Sequence, residues 1–215
     1  MNTYKLEIPI FPLDSVIILP GSFLPLNVFE NRYLNMVDDA LKSGSRLIGM
    51  IQPLMNKKQN TESFENIIGC YGRISKFEET EKKTYLISLK GLSRFSIINS
   101  KLLKKGYISS IVSMENYKND LNESKTNYFK FTNDKSLKTV LKSYLKIKRL
   151  DSNWNYINSC SNLDLINQLS MVCPFSIHEK QMLLESKSID DRYILLLSLL
   201  ENTVQSNDEK NQIRH

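Results

Sequence analysis

The feature that most constrains this chain is a change of hydrophobic period near residue 115. Before it, apolar residues fall in short β-branched and aromatic runs. After it, they recur at three- and four-residue spacing. A strand buries alternate side chains and a helix buries one stripe, so neither pattern can stand in for the other. Residues 47–51, 67–77, 84–89, 94–99 and 107–112 read as strands broken by glycine or charged turns. In Tyr85-Leu86-Ile87-Ser88-Leu89-Lys90 the odd positions are all apolar and the even ones turn polar, as in a half-buried strand. Gly69, Gly72 and Gly91 sit in or beside these runs, where bulges and barrel corners occur.

Four of the six prolines lie in the first 25 residues, and proline cannot donate to a sheet ladder. This segment therefore reads as short strands interrupted by turns, with 16–19 the clearest strand and Pro20-Gly21 a turn. Phe29, Tyr33, Met36, Val37, Ala40 and Leu41 then repeat at helical spacing and stop at Ser43-Gly44. Phe11, Phe29, Tyr33 and Phe95 are expected in the core, and Arg32 and Arg94 as structural ion-pair partners.

Beyond residue 115 a polar, Asn/Lys-rich stretch ends in Tyr128, Phe129 and Phe131. Leu137, Val140, Leu141, Tyr144 and Leu145 mark an amphipathic helix with lysines mostly on its other face. Three capping boxes follow: Ser161-x-x-Asp164, Ser176-x-x-Glu179 and Ser188-x-x-Asp191 each precede an apolar periodic run. Strands first and helices second predict an α+β chain. The expected parts are a strand-rich subdomain at 1–115 forming a small, partly closed barrel with one helix, a polar linker at 116–132, a helical bundle at 133–204 and a frayed tail at 205–215.

The chemistry the sequence can support is narrow. None of the seven glycines precedes a lysine, so no phosphate-cradling P-loop is present, and neither G-x-G-x-x-G nor G-x-S-x-G occurs. His178, the only internal histidine, opens a capped helix and is expected to be a surface residue rather than a general base for a cysteine or serine. Neighbouring carboxylates such as Asp38-Asp39 and Glu78-Glu79 diverge rather than converge, and are expected to be solvated. Cys70, Cys160 and Cys173 are odd in number and far apart, which suits small apolar thiols in a reducing compartment. A zinc site needs about four ligands, and none is expected. No catalytic residue, metal or cofactor is assigned. The first residues lack a signal-peptide layout and no run approaches the ~20 apolar residues of a membrane span, so a cytoplasmic chain without a membrane partner is expected.

Charge is unevenly spread. Residues 76–149 carry 17 basic and 7 acidic side chains, whereas 1–75 balance at seven each. Lys101, Lys104 and Lys105, with the Lys138, Lys142 and Lys146 face of the first bundle helix, are candidates for an anionic partner such as RNA. Fifteen of those 17 are lysines, which neither fork nor stack as arginines do, so a solvated surface is the favoured reading.

Several motifs fall in order at fixed distances. Ile8-Pro9-Ile10-Phe11-Pro12-Leu13, Val16-Ile17-Ile18-Leu19-Pro20-Gly21 and Leu24-Pro25-Leu26-Asn27-Val28-Phe29-Glu30-x-Arg32-Tyr33-x-x-Met36-Val37 open the chain. Ile68-Gly69-Cys70-x-Gly72-x-Ile74 and Tyr85-x-Ile87-x-Leu89-x-Gly91-x-x-Arg94-Phe95-x-Ile97 follow. Leu169-x-Met171-x-Cys173-Pro174-Phe175, Glu179-Lys180-Gln181-x-Leu183-Leu184-Glu185 and Arg192 close the pattern. Over roughly residues 8–200 this resembles the substrate-binding N-terminal domain of Lon proteases, and its end resembles short stand-alone members without ATPase and peptidase parts. The resemblance implies a PUA-like barrel followed by a helical bundle. It also implies a non-catalytic module for unfolded polypeptide or a partner protein, tied to a proteolytic system. Candidate docking residues are Phe23, Leu24 and Pro25, and the aromatics Tyr128, Phe129 and Phe131. RNA binding through the basic surface is the alternative, and no small-molecule cofactor is implied.

Overall fold

A computed structural model describes residues 4–53, 64, 66–121, 130 and 136–212, with backbone only for 207–212. The chain divides into two compact units, one formed by Met1–Thr126 with Pro174–Leu184, the other by Asn127–Cys173 with Glu185–His215.

The first unit is built on six strands: β1 (Lys5–Pro12), β2 (Phe23–Val28), β3 (Leu47–Ile51), β4 (Ile68–Glu79), β5 (Tyr85–Leu102) and β6 (Ile108–Ser113). Their order is β2-β5-β4-β3-β1-β6, and a further β5–β6 pairing closes five of them into a barrel. Only β1 and β3 run parallel. Closure leaves no free edge among those five, which removes the unpaired backbone that edge strands expose. β2 lies outside the ring, paired with the first half of β5. Ile8, Ile10, Ile51, Phe95, Ile97 and Val112 fill the barrel.

Two expected strands, 84–89 and 94–99, are one strand, β5. Gly91 does not break it. A Cβ there would stand 2.2 Å from the Leu19 carbonyl oxygen, so glycine serves close backbone approach inside a continuous strand. Gly91 N donates to the Ser22 carbonyl (2.9 Å) and Gly21 N to the Gly91 carbonyl (3.0 Å). This corrects the reading of 16–19 as a strand. Ile17, Ile18 and Leu19 are all buried in succession, without the alternation of a half-exposed strand, in an irregular segment pressed against β5.

Helix α1 (Asn31–Lys42) buries Tyr33, Met36, Val37 and Ala40 and ends before Gly44 at φ +73°. Phe11 packs on Tyr33 with ring centroids 4.3 Å apart. Phe29, expected in the core with them, is instead exposed, because α1 starts after it and its stripe begins at Tyr33.

A 3-10 helix at Glu115–Leu121 follows β6. It is fastened by Arg94, which donates through Nε (2.8 Å) and Nη2 (2.9 Å) to the two oxygens of Asp120 and through Nη1 to the Leu184 carbonyl (3.2 Å). Its guanidinium lies 4.4 Å from the Tyr117 ring centre. Gln181 Nε2 donates to the Ile68 carbonyl (3.0 Å) and Gln52 Nε2 to Gln181 Oε1 (2.9 Å), which seats residues 174–184 beside the barrel strands.

In the second unit, α2 (Ser136–Lys148) and α6 (Ile189–Gln212) pack through Leu137, Leu141, Tyr144, Tyr193, Leu196 and Leu200, all buried. Ser136 and Tyr193 hydroxyls meet at 2.8 Å, and Arg192 donates to Asn167 on α4 (Asn162–Val172) at 2.9 Å. A short helix, α3 (Trp154–Ser159), precedes α4. α5 (Ile177–Glu185) falls in the first unit up to Leu184. Each capping serine accepts from the amide three residues on: Asp164 to Ser161 (3.1 Å), Glu179 to Ser176 (3.3 Å) and Asp191 to Ser188 (3.1 Å). α6 continues to Gln212, past the point where the sequence turns polar.

Candidate functional site

β5 is the longest strand, and its first half carries β2 on one side and β4 on the other. The pleat sends alternate residues to opposite faces. On one face Ile87 and Leu89 are buried, with Leu24 and Leu26 opposite them half-buried. Tyr85 lies on that face too and donates to Asp38 on α1 (3.0 Å), a bond that lifts its pKa above the usual value.

The other face is open. Register sets it out in three cross-strand rows: Phe23·Lys90·Arg73, then Pro25·Ser88·Lys76, then Asn27·Leu86·Glu78. Rows lie about 6.7 Å apart along β2 and β5, a register shift between Ile74 and Lys76 interrupts that spacing on β4, and neighbours lie about 4.8 Å apart across the strands. Phe23 is 58% and Leu86 42% exposed, and Phe29, just beyond β2, is 66% exposed. An open depression is lined by Lys76, Glu78, Leu86 and Ser88 of this face together with Phe77 and Ile87, which register places on the opposite one. Contiguous exposed apolar side chains of this kind mark interaction surfaces more often than scattered ones do.

Among the sequence-named candidates, Phe23 and Pro25 lie on this face and Leu24 on the opposite one. Tyr128, Phe129 and Phe131 lie outside the described residues. Leu86 and the basic side chains Arg73, Lys76 and Lys90 were not singled out from sequence. The even-numbered positions of the alternating stretch at 85–90 carried that signal, but strand register was needed to read it.

The lysine candidates separate. Lys101 pairs with Glu7 (2.6 Å) on the barrel surface, where its hydrogen bond, more than that from Ser109, holds the Glu7 carboxyl below its usual pKa. Lys105 pairs with Asp39 (2.6 Å), which also accepts from Tyr107 (2.7 Å). The Lys105 hydrogen bond leads in lowering the Asp39 pKa, and burial with the Asp39 bond pushes the Tyr107 phenol up to about 12. Lys104 is exposed. In the second unit Lys138, Lys142 and Lys146 line one side of α2, with Lys138 reaching the Asn158 carbonyl (3.5 Å). The expectation that Asp38 and Asp39 are merely solvated is corrected: each is half-buried and bonded, to different partners, because adjacent helical side chains diverge.

His178 is exposed on α5, while Cys70 and Cys173 are buried. Arg32 pairs with Glu30 (2.7 Å). Among the described residues no group of three or more His, Cys, Asp or Glu side chains could hold a metal, and no helix is long and apolar enough to cross a membrane.

Comparison with known proteins bears on the fold and the family. The profile of the ATP-dependent protease La (LON) substrate-binding domain matches residues 7–202. A Lon protease of Buchnera aphidicola is 22% identical over 98% of the chain, and one of Flavobacterium johnsoniae 24% identical over 100%. The chain spans only 27% and 26% of those relatives. Two solved structures share the fold. The Lon N-terminal domain protein of Xanthomonas campestris has TM-score 0.55 and 22% identity, covering 90% of this chain and 98% of that one. The N-terminal domain of Mycobacterium avium complex Lon protease has TM-score 0.57 and 15% identity, covering 93% and 98%.

Proposed function

Because the chain belongs to the Lon substrate-binding domain family, we propose that it binds polypeptide, unfolded or carried by a partner protein, on the open face of β2, β5 and β4. The observation that carries this reading is the uncovered set of Phe23, Pro25 and Leu86, one in each cross-strand row of the three-strand ribbon. A module of this kind makes and breaks no bonds. It presents apolar area to a passing segment, and each Å² buried contributes roughly 25 cal/mol. The match to a substrate-binding domain supports recognition on behalf of a proteolytic system as the role.

The basic surface supports a nucleic-acid role less well. Lys101 and Lys105 are each neutralised by a carboxylate at 2.6 Å, so they offer little net charge to a phosphate backbone.

The test is fluorescence anisotropy with a labelled, reduced and carbamidomethylated polypeptide. An aromatic side chain buries about 150–250 Å² in full, and Phe23 is 58% exposed. Covering about half of what is exposed is worth roughly 1–1.5 kcal/mol. Phe23→Ala should therefore weaken binding roughly five- to tenfold, Leu86→Ala somewhat less. Leu102→Ala removes a more exposed side chain, 74%, outside this face and should leave affinity unchanged. The proposal fails if the chain binds no polypeptide saturably, or if Leu102→Ala costs as much as Phe23→Ala.

A further inference from the structure

The same open face carries a charge pattern that apolar docking leaves unused. Arg73 and Lys90 are direct cross-strand partners, and Lys76 sits in the next row beside Ser88. All three are exposed. None has an ion-pair partner within 4 Å among the described residues, whereas Arg32, Arg94, Lys101, Lys105 and Lys118 all do. Like charges directly opposite on a sheet repel, so the Arg73·Lys90 pair costs stability in the free protein. On this face they meet one carboxylate, Glu78, leaving a local excess of two positive charges. Phe23 stands in the same row as Lys90, and Leu86 in the same row as Glu78.

We infer that the segments this face accepts are extended and mix apolar with acidic residues, a carboxylate lying over Lys90 and Arg73 while apolar side chains cover Phe23 and Leu86. The inference rests on the docking reading above and deepens it. In an extended segment, side chains two apart point the same way at about 6.7 Å, which matches the row spacing of the face. An acidic group placed over the Arg73·Lys90 pair gains attraction and relieves their repulsion together. Neutral and basic segments lack both gains, so the face discriminates by charge as well as by apolarity.

The test uses short fluorescein-labelled peptides of repeated Leu-Leu-Glu-Glu, Leu-Leu-Gln-Gln or Leu-Leu-Lys-Lys, so that each face of the extended chain carries both residue types. At about 0.05 M salt the wild-type chain should bind the Glu peptide roughly fivefold more tightly than the Gln peptide, the size expected of a few exposed charge contacts. The gap should close near 1 M salt, where the Debye length is about 3 Å. Arg73→Glu with Lys90→Glu keeps the same cross-strand repulsion and should reverse the order, the Lys peptide binding best. If that protein does not fold by circular dichroism, Arg73→Gln with Lys90→Gln should bind the Glu and Gln peptides equally. Equal binding of Glu and Gln peptides by the wild-type chain overturns the charge preference and leaves peptide docking standing. Binding of no peptide at all overturns docking and this inference with it. Displacement of the peptide by a single-stranded RNA at lower concentration would make the face a nucleic-acid site and overturn the inference.

Discussion

Replacing Arg94 by methionine should cost more stability than any other single polar change in the strand-rich unit. Arg94 is buried on β5, and its partner Asp120 has only 10% of its side chain exposed. The side-chain hydrogen bonds lost include two to Asp120 at 2.8 and 2.9 Å and one to the Leu184 carbonyl at 3.2 Å. The stacking on Tyr117 goes with them. What dominates is the charge left behind: removing one partner of a buried pair typically costs about 3–5 kcal/mol, because the other stays desolvated and uncompensated. That is a large part of a stability of roughly 5–15 kcal/mol. Asp120 still accepts from the Arg94 backbone amide (3.0 Å), which limits the loss. Removing both charges, Arg94→Met with Asp120→Leu, eliminates the orphan and should recover most of the loss, leaving about 1 kcal/mol for that amide. Urea unfolding at pH 7 followed by circular dichroism, run as a double-mutant cycle, measures each quantity. The reasoning is refuted if Arg94→Met costs less than about 1 kcal/mol, or if the double variant is no more stable than the single.

Gly91→Ala should cost about 2–3 kcal/mol in the same assay, since its Cβ would stand 2.2 Å from backbone oxygen rather than from a side chain able to swing aside. A cost below about 0.5 kcal/mol would show that the 16–22 segment shifts freely. Asp39→Asn weakens the bonds from Lys105 and Tyr107 and should cost about 1–2 kcal/mol at pH 7. Because the folded-state pKa of Asp39 is depressed, the carboxylate's contribution is fully present above the ordinary value of 3.8 and is lost as pH falls through the lower folded value. Unfolding curves of the two proteins should therefore converge only in that acid range, and a gap that instead closes above the ordinary value of 3.8 would contradict this. Ser176→Ala removes the α5 cap and should lower stability by about 1 kcal/mol, checked by thermal unfolding.

The strand-to-helix switch, the α1 stripe and the three capping boxes were legible because each depends on local spacing alone. Leu47–Ile51 appears in the structure with the bounds the sequence suggested. Gly91 misled because a glycine that ends a strand and one that admits a neighbouring backbone look alike in sequence. Residues 16–19 misled because an apolar run states burial, not extension. Phe29 fits the helical repeat yet falls before the helix starts. The 3-10 helix at Glu115–Leu121 hides in polar composition because one long-range pair, Arg94 with Asp120, fastens it. Likewise nothing local joins Gln52 to Gln181. At the candidate site, Phe23 and Pro25 announced themselves as apolar residues at a proline-marked strand. Leu86, Lys76, Arg73 and Lys90 join them only through cross-strand register, which a single strand's pattern does not contain.

Hydroxyl-radical footprinting of the chain saturated with the unfolded polypeptide tests the docking face most directly, since mass spectrometry reads protection side chain by side chain. Phe23, Phe29 and Leu86 should lose reactivity on binding while Leu102 and Ile111, also exposed, keep theirs. Protection centred on Leu102 and Ile111, or none at Phe23 and Leu86 at saturation, would contradict the assignment of this face.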